Sequence, residues 1–167
     1  MPSRPGANPK PPVSPHKVRE APAVYADLPR PALIDSNVWI DIFENDHAWF
    51  AWSCAALDRI GARSKLVINP VIYAEIAANF HTIEDMDASL LPYGVLREAL
   101  PWPGAFLAAK AHQLYRKRGG VRRSTLPDFY IGAHASLAGY VLVTRDAQRY
   151  REYFPNLTIV APTGNPA

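Results

Sequence analysis

Four acidic residues stand where a strand-like stretch of the chain gives way to a helix-like one: Asp35, Glu75, Asp128 and Asp146. Carboxylates that are held close together raise one another's pKa and oppose ionisation. A cluster of them is therefore costly unless a cation neutralises it, and divalent cations bind readily to carboxylate oxygens. The four acids predict a divalent-metal site and metal-dependent chemistry on a phosphate ester.

The segments that must position these acids alternate between strand-like and helix-like patterns. Short apolar runs, typical of buried strands, occur at 31–34, 65–68, 140–144 and 158–160. Helical patterns occur at 38–43, 48–60, 70–80, 82–91, 105–118, 126–139 and 147–154. Strands separated by helices pair in parallel, which predicts an α/β fold: a three-layer α/β/α sandwich with a central parallel sheet of four to five strands.

This topology brings the four acids to one edge of the sheet. Ligands of such sheets bind outside the carboxyl ends of the strands, where helix N-termini also point. Asp35 and Asp146 directly follow predicted strands. Asp128 lies in the first turn of its helix, and Glu75 lies in the second turn of a helix that follows a strand. All four side chains can therefore reach the same edge.

Each acid taken alone also has an ordinary structural interpretation. Asp146 could cap the following helix, and Asp128 could oppose a helix dipole. Asp35 could be a turn residue, and Glu75 could pair with an arginine. The joint placement of the four favours the metal site over four unrelated explanations.

Three polar side chains accompany the acids, namely Ser36, Asn37 and Thr144. They could orient a water molecule or a carboxylate at the site. They could equally cap the turn that follows them, as short polar side chains commonly do. Both interpretations stay open.

Four segments of the chain resemble the successive motifs of PIN-domain ribonucleases, and those of VapC-type toxins especially. They are LIDSNVWID at 33–41, NPVIYAEI at 69–76, PDFYIGAHA at 127–135 and LVTRD at 142–146. The ending at 150–162 is similar too, so the likeness covers residues 31–162. No segment is specific alone, but their order and spacing are. The chain departs from the family pattern in a Pro-rich N-terminal tail, in an insertion at 101–103, and in His134, which is expected to alter the rim of the site.

The resemblance implies an endoribonuclease that hydrolyses RNA phosphodiester bonds with Mg²⁺ or Mn²⁺ and serves as the toxin of a toxin–antitoxin pair. It makes Asp35 and Asp128 direct metal ligands and Glu75 a ligand or a residue that orients a water. Asp146 then holds a second ion or acts from outside the coordination sphere. The implied partners are an RNA substrate, a cognate antitoxin and a second copy of the chain in a homodimer. The aromatic residues within 39–52 belong to the region that helps to bind the antitoxin in the resembled toxins.

Five of the chain's 18 basic residues lie within 116–123, shortly before one of the acids. A solvated helix end explains such a cluster, because cations complement the helix dipole and glycine ends the helix. An RNA strand would also need a positive path to a negative site. The candidates for RNA contact are Arg116, Lys117, Arg122, Arg123 and Arg145.

The first 30 residues differ in composition from the rest of the chain. They hold eight prolines and five basic residues against two acidic ones, a net charge of +3 that equals the formal charge of all 167 residues. Such a segment cannot bury enough apolar surface to order itself. We therefore expect a disordered basic tail over 1–30, a PIN-like nuclease domain over 31–162 and a short C-terminal tail over 163–167.

Other classes of protein are poorly matched. The chain has no Gly-x-Ser-x-Gly elbow, no His-Glu-x-x-His pair and no Gly-rich phosphate loop. Its one cysteine, Cys54, excludes an intramolecular disulfide, and no apolar run approaches the roughly 20 residues that span a bilayer. A cytoplasmic protein without a membrane partner is expected. The alternatives to the nuclease are a catalytically silent PIN-like module that binds RNA or protein, and a metal-dependent phosphatase or DNA nuclease.

Overall fold

A sheet of five parallel strands forms the centre of the computed structural model, which describes residues 30–120 and 126–164. The strands are β1 (Ala32–Ile34), β2 (Leu66–Ile68), β3 (Leu96–Arg97), β4 (Val141–Val143) and β5 (Ile159–Val160). Their spatial order is β3-β2-β1-β4-β5. Leu33 of β1 pairs with Val67 on one side and with Leu142 on the other. All three residues of β1 are buried, as expected for a parallel strand that is covered on both faces.

Seven helices flank this sheet within the described residues, which confirms the predicted three-layer α/β/α architecture. They are α1 (Ser36–Phe43), α2 (Phe50–Gly61), α3 (Pro70–Ala77), α4 (Ile83–Leu90), α5 (Trp102–Lys117), α6 (Leu126–Ala138) and α7 (Gln148–Tyr153). None of them is both long enough and apolar enough to cross a membrane.

The number of strands agrees with the predicted four to five, but the sequence patterns did not locate one strand and misplaced the start of one helix. The edge strand β3 was not expected, because it has only two residues, both exposed, and so presents no apolar run. Helix α5 begins at Trp102 rather than at Ala105. Pro103 lies in its first turn, where a residue without a backbone N–H leaves no hydrogen bond unmade. The insertion at 101–103 therefore extends a helix instead of interrupting the chain.

An aromatic cluster packs the last three helices together. The ring centroid of Phe129 on α6 lies 5.6 Å from that of Tyr115 on α5 and 5.2 Å from that of Tyr153 on α7. Phe154, directly after α7, lies 6.3 Å from the same ring. Phe129 is almost fully buried. Because Asp128 precedes Phe129 and Asp146 precedes α7, this packing also fixes the positions of two of the acids.

Gly132 is the point of closest approach between α6 and the ring of Phe154. A Cβ atom at this position would overlap the ring, which is itself buried. Gly132→Ala is therefore expected to lower the free energy of unfolding by about 1–3 kcal/mol, since overpacking a rigid core displaces its neighbours. Urea denaturation measures the change. Ser136→Ala, at an exposed position of the same helix, serves as the control, and equal stability of the two variants would show that the ring moves aside freely.

Candidate active site at the carboxyl edge of the sheet

Asp35 links the ends of the two central strands. It follows β1 directly, and its backbone N–H donates to the carbonyl of Val143 at the end of β4 at 2.9 Å. Its backbone is extended at the N-cap position of α1, yet its side chain caps no N–H of that helix. The Asp35 carboxylate instead accepts hydrogen bonds from other side chains. Asp35 is therefore more than a turn residue.

Three side chains donate hydrogen bonds to the buried Asp35 carboxylate, and Ser36 lies close to it. Its Oδ2 accepts from Thr144 Oγ1 at 2.7 Å, from Asn37 Nδ2 at 2.9 Å and from the Tyr150 hydroxyl at 3.2 Å. Ser36 Oγ lies 3.3 Å from Oδ1. These donors fix the orientation of the carboxylate, which is 3% exposed.

Burial nevertheless raises the pKa of Asp35 from 3.8 to about 6. The hydrogen bond from Thr144 opposes this rise, whereas the negative charges of Asp128 and Glu75 add to it. The buried carboxylate is therefore much easier to protonate than an exposed one, because desolvation and like charge both disfavour its ionised form.

Glu75 is brought to the same edge by α3. The Asn69 side chain caps this helix by accepting from the backbone N–H groups of Val71 and Ile72, both at 3.0 Å. Glu75 then lies in the second turn, where its Oε2 accepts from Ser36 Oγ at 2.6 Å. Burial raises the pKa of Glu75, the bond from Ser36 lowers it, and the charge of Asp128 raises it again. Its side-chain partner is thus a serine next to Asp35 rather than an arginine.

Asp128, not Glu75, is the acid that pairs with an arginine. It lies in the first turn of α6, and its Oδ2 is bound by the Arg149 guanidinium from α7. Burial raises the pKa of Asp128 despite this ion pair, and the charge of Asp146 raises it further. The arginine offsets the negative charge of only one of the acids.

Asp146 is the most exposed of the four. Its backbone N–H donates to Thr144 Oγ1 at 3.1 Å, so the same hydroxyl that binds Asp35 also shapes the turn before α7. The N-cap of α7 is Ala147, which shows that the Asp146 carboxylate does not cap this helix. Its charge acts on Asp128 from the rim of the site.

The sequence analysis missed two residues of the site, Arg149 and Tyr150. They occupy successive positions on α7, and Tyr150 is almost fully buried. Burial and the charges of Asp35, Asp128 and Glu75 raise its pKa well above 10, so the hydroxyl remains a hydrogen-bond donor. The only signal in the sequence was their position within one helical turn after Asp146.

The donor set fits a hard divalent cation, because carboxylate, hydroxyl and amide oxygens are the ligands that Mg²⁺ and Mn²⁺ prefer. Burial raises the pKa of three acids and neighbouring negative charge adds to the rise, so a cation would offset the cost of ionising them. Within residues 30–120 and 126–164, no three acidic, histidine or cysteine side chains are close enough together to ligate one ion as they stand. An ion with several water ligands and one or two carboxylates is consistent with both observations.

The polar neighbours act on the acids. Ser36 bridges Asp35 and Glu75, and Asn37 donates both to Asp35 and, at 3.0 Å, to Thr144 Oγ1. All three side chains contact carboxylates of the site, and Thr144 also accepts from the backbone of the turn that follows it, so for Thr144 both interpretations apply.

Three of the five candidates for RNA contact lie within the described residues. Arg116 and Lys117 are exposed in the last turn of α5. Arg122 and Arg123 lie outside the described residues, as do residues 1–29 of the predicted tail. Arg145 Nη1 binds Oδ1 of the buried Asp41 at 2.6 Å, and its backbone N–H donates to Asn37 Oδ1 at 3.2 Å. Arg145 therefore joins α1 to the turn that carries Asp146, and its contact with RNA stays a prediction.

His134 lies away from the rim on which it was expected. It is buried, and its Nδ1 lies 3.3 Å from Asn69 Nδ2 while its Nε2 lies 3.6 Å from Glu98 Oε2. Because Asn69 Nδ2 can only donate, Nδ1 is the acceptor and the proton is on Nε2. Burial lowers the pKa of His134 against the opposing effect of Glu98, which favours this neutral form. The histidine supports the cap of α3 and does not form the rim of the site.

The electrostatics of Asp35 predict a pH-dependent gain in stability for Asp35→Asn in chelator. The folded protein binds the proton more tightly than the unfolded chain, so this group's contribution is complete below pH 3.8 and is lost as the pH rises through about 6. At neutral pH the variant should be more stable by about 3 kcal/mol at most. An asparagine keeps an oxygen for Thr144 without carrying charge.

Thermal denaturation measures this gain in stability, which should be present at neutral pH and absent below pH 3.8. Asp58→Asn, on the exposed face of α2, is the control. A difference that does not change with pH would contradict the assigned electrostatics.

Comparison with known proteins identifies the family of this chain. The sequence pattern of the PIN domain matches residues 32–154. No curated protein matches the chain in sequence. Among solved structures, VapBC2 from Rickettsia felis, bound to a DNA fragment from its promoter, is similar with a TM-score of 0.62 at 14% identity, over 79% of this chain and 98% of the other.

Two further solved structures are similar over 78% of this chain and 97% of theirs. VapBC-1 from nontypeable Haemophilus influenzae gives a TM-score of 0.60 at 18% identity. A toxin–antitoxin complex from Klebsiella pneumoniae gives 0.57 at 22%. The TM-scores show a shared fold at low sequence identity. Together with the sequence match, they confirm the resemblance to PIN domains that the four segments predicted. The chain belongs to the PIN-domain family.

Proposed function

We propose that this chain is a Mg²⁺- or Mn²⁺-dependent endoribonuclease that acts as the toxin of a toxin–antitoxin pair. The observation that supports the proposal most is that Asp35, Glu75 and Asp128 act on one another electrostatically and are wholly or partly removed from water. Desolvated like charges do not stabilise a fold. Their retention at the edge where such sheets bind ligands favours a role in binding a cation.

The residues around the ion have separate tasks. A bound Mg²⁺ or Mn²⁺ supplies Lewis-acid chemistry, making a water a better nucleophile and offsetting charge on the leaving oxygen. Asp35 and Asp128 hold the ion, and Thr144, Asn37 and Tyr150 keep Asp35 in its orientation.

Glu75 binds the ion or orients the attacking water. Burial raises the pKa of Glu75 toward neutral pH, and a carboxylate with a higher pKa accepts a proton more effectively. Asp146, on the exposed rim, holds a second ion or acts from outside the coordination sphere.

The proposed partners follow from surface charge and from the structural neighbours. Exposed Arg116 and Lys117 offer positive charge to an RNA backbone. The similar structures from Rickettsia felis and Haemophilus influenzae are VapBC complexes, which supports a cognate antitoxin for this chain. The proposal also includes the association of two copies of this chain in a homodimer.

A second candidate is a module of this fold that binds RNA or a protein without cutting it. The ion pair between Arg149 and Asp128 favours this candidate, because a guanidinium on the carboxylate competes with a metal ion for the same oxygens. A metal-dependent phosphatase or DNA nuclease is a further alternative.

Cleavage of total RNA in Mg²⁺ or Mn²⁺ tests the nuclease directly. The intact chain should cut, and Asp35→Asn and Asp128→Asn should each cut at least about 100-fold more slowly, since loss of a ligand removes several kcal/mol of transition-state stabilisation. Chelator should abolish cutting. Single-stranded DNA of matched sequence distinguishes a DNA nuclease, and a chromogenic phosphate monoester distinguishes a phosphatase.

Asp58→Asn is the matched control for charge removal, because its side chain is exposed on α2. It should cut like the intact chain. Cleavage that persists in both active-site variants or in chelator would reject the mechanism.

Arg149→Gln should bind Mn²⁺ about tenfold more tightly than the intact chain, because a charge-assisted hydrogen bond to Asp128 no longer has to be broken. Isothermal titration calorimetry measures the affinity without any need for RNA. Arg151→Gln removes the same charge from an exposed position of the same helix and is the control. Unchanged or weaker binding by Arg149→Gln would show that the arginine does not compete with the ion.

A further inference from the structure

A small polar cavity of about 240 Å³ opens beside the acids, between the end of α5 and α7. It is lined by Tyr115, Asp146, Gln148, Arg149, Glu152 and Tyr153. Two of these residues connect it to the proposed active site, because Asp146 is one of the four acids and Arg149 binds Asp128. A group held in the cavity therefore lies beside Asp146 and beside the arginine that binds Asp128.

The walls of the cavity present flat surfaces. The ring centroids of Tyr115 and Tyr153 lie 5.9 Å apart with their planes at 77°. The Arg149 guanidinium lies 6.0 Å from the Tyr115 centroid, and that of Arg118 lies 5.6 Å from the Tyr153 centroid. Both rings also pack on the buried Phe129, which holds them in place. Unpaired RNA bases stack on such aromatic rings and guanidinium planes.

The edge of the cavity carries acceptors. Glu152 is exposed, and its Oε1 accepts from Arg118 Nη1 at 3.1 Å. The exposed Asp146 contributes a second carboxylate. Ionised carboxylates accept hydrogen bonds and cannot donate them. Guanine is the RNA base that presents two neighbouring donors, its ring N–H and its amino group, along one edge.

We propose that this cavity is a subsite for one unpaired nucleobase of an RNA strand, with a preference for guanine, next to the position of the scissile phosphate. The choice of RNA as substrate class rests on the proposed nuclease function. Tyr153, together with the Arg118 guanidinium over its ring, supplies the stacking surface, and Glu152 reads the base edge. The subsite makes the chain selective for sequence at a nucleotide adjoining the cut.

Titration of guanosine, adenosine, cytidine and uridine into the intact chain, followed by NMR, tests the subsite without cleavage and without phosphate. Guanosine should bind most tightly. Tyr153→Leu should weaken this binding about tenfold, as expected for loss of one stacked base. Glu152→Gln should remove the preference for guanosine over adenosine.

Glu84→Gln is the matched control, because it removes the same charge from an exposed position of α4 that does not line the cavity. It should keep the guanosine preference. Thermal denaturation of each variant establishes that the fold is intact. Equal response to all four nucleosides, or no response, would overturn the subsite.

Sequencing of RNA ends after cleavage separates this inference from the proposed function. Guanine should be enriched at one fixed position from the cut, and Glu152→Gln but not Glu84→Gln should remove the enrichment. Binding of guanosine without cleavage of RNA would reject the proposed nuclease activity and support the base-binding subsite. A chain whose cutting pattern is the same in Glu152→Gln would retain the nuclease and overturn the subsite.

Discussion

The burial of several neighbouring carboxylates is the constraint on which the site depends. Asp35, Glu75 and Asp128 each have a raised pKa because burial and neighbouring negative charge oppose their ionised forms. Within residues 30–120 and 126–164, neutral donors reduce this cost at Asp35 and Glu75, and Asp128 is the one of the three acids that pairs with an arginine. The arrangement leaves negative charge for a cation to neutralise, which is what a metal-binding site requires.

The order of the strands explains why distant residues meet. Because β1 lies between β2 and β4, the residues that follow these three strands share one stretch of the sheet edge. Asp35 follows β1, Thr144 follows β4, and α3 carries Glu75 back over the edge from β2. The aromatic packing of Phe129 and Phe154 then sets α6 and α7 against each other, so Arg149 reaches Asp128. Topology supplies the proximity, and core packing supplies the orientation.

The sequence predicted the parts of the structure that are encoded locally. Apolar runs located four strands, and the helical pattern at 70–80 located the start of α3, which the Asn69 side chain caps. The strand at Leu96–Arg97 had no local signal, since its pairing with β2 depends on the rest of the sheet. The contacts of Arg149 and Tyr150 were also missed, because they join residues 21 and 115 positions apart and exist only in the folded chain.

The hydroxyl of Thr144 is shared by three other residues of the site. It donates to Asp35, and it accepts from the Asn37 amide and from the backbone of Asp146. Effects of substitutions at these positions will not add, because contacts within one network couple energetically. Double-mutant cycles built around this threonine would yield large interaction energies. The free energy of the network therefore cannot be divided into separate contributions from its members.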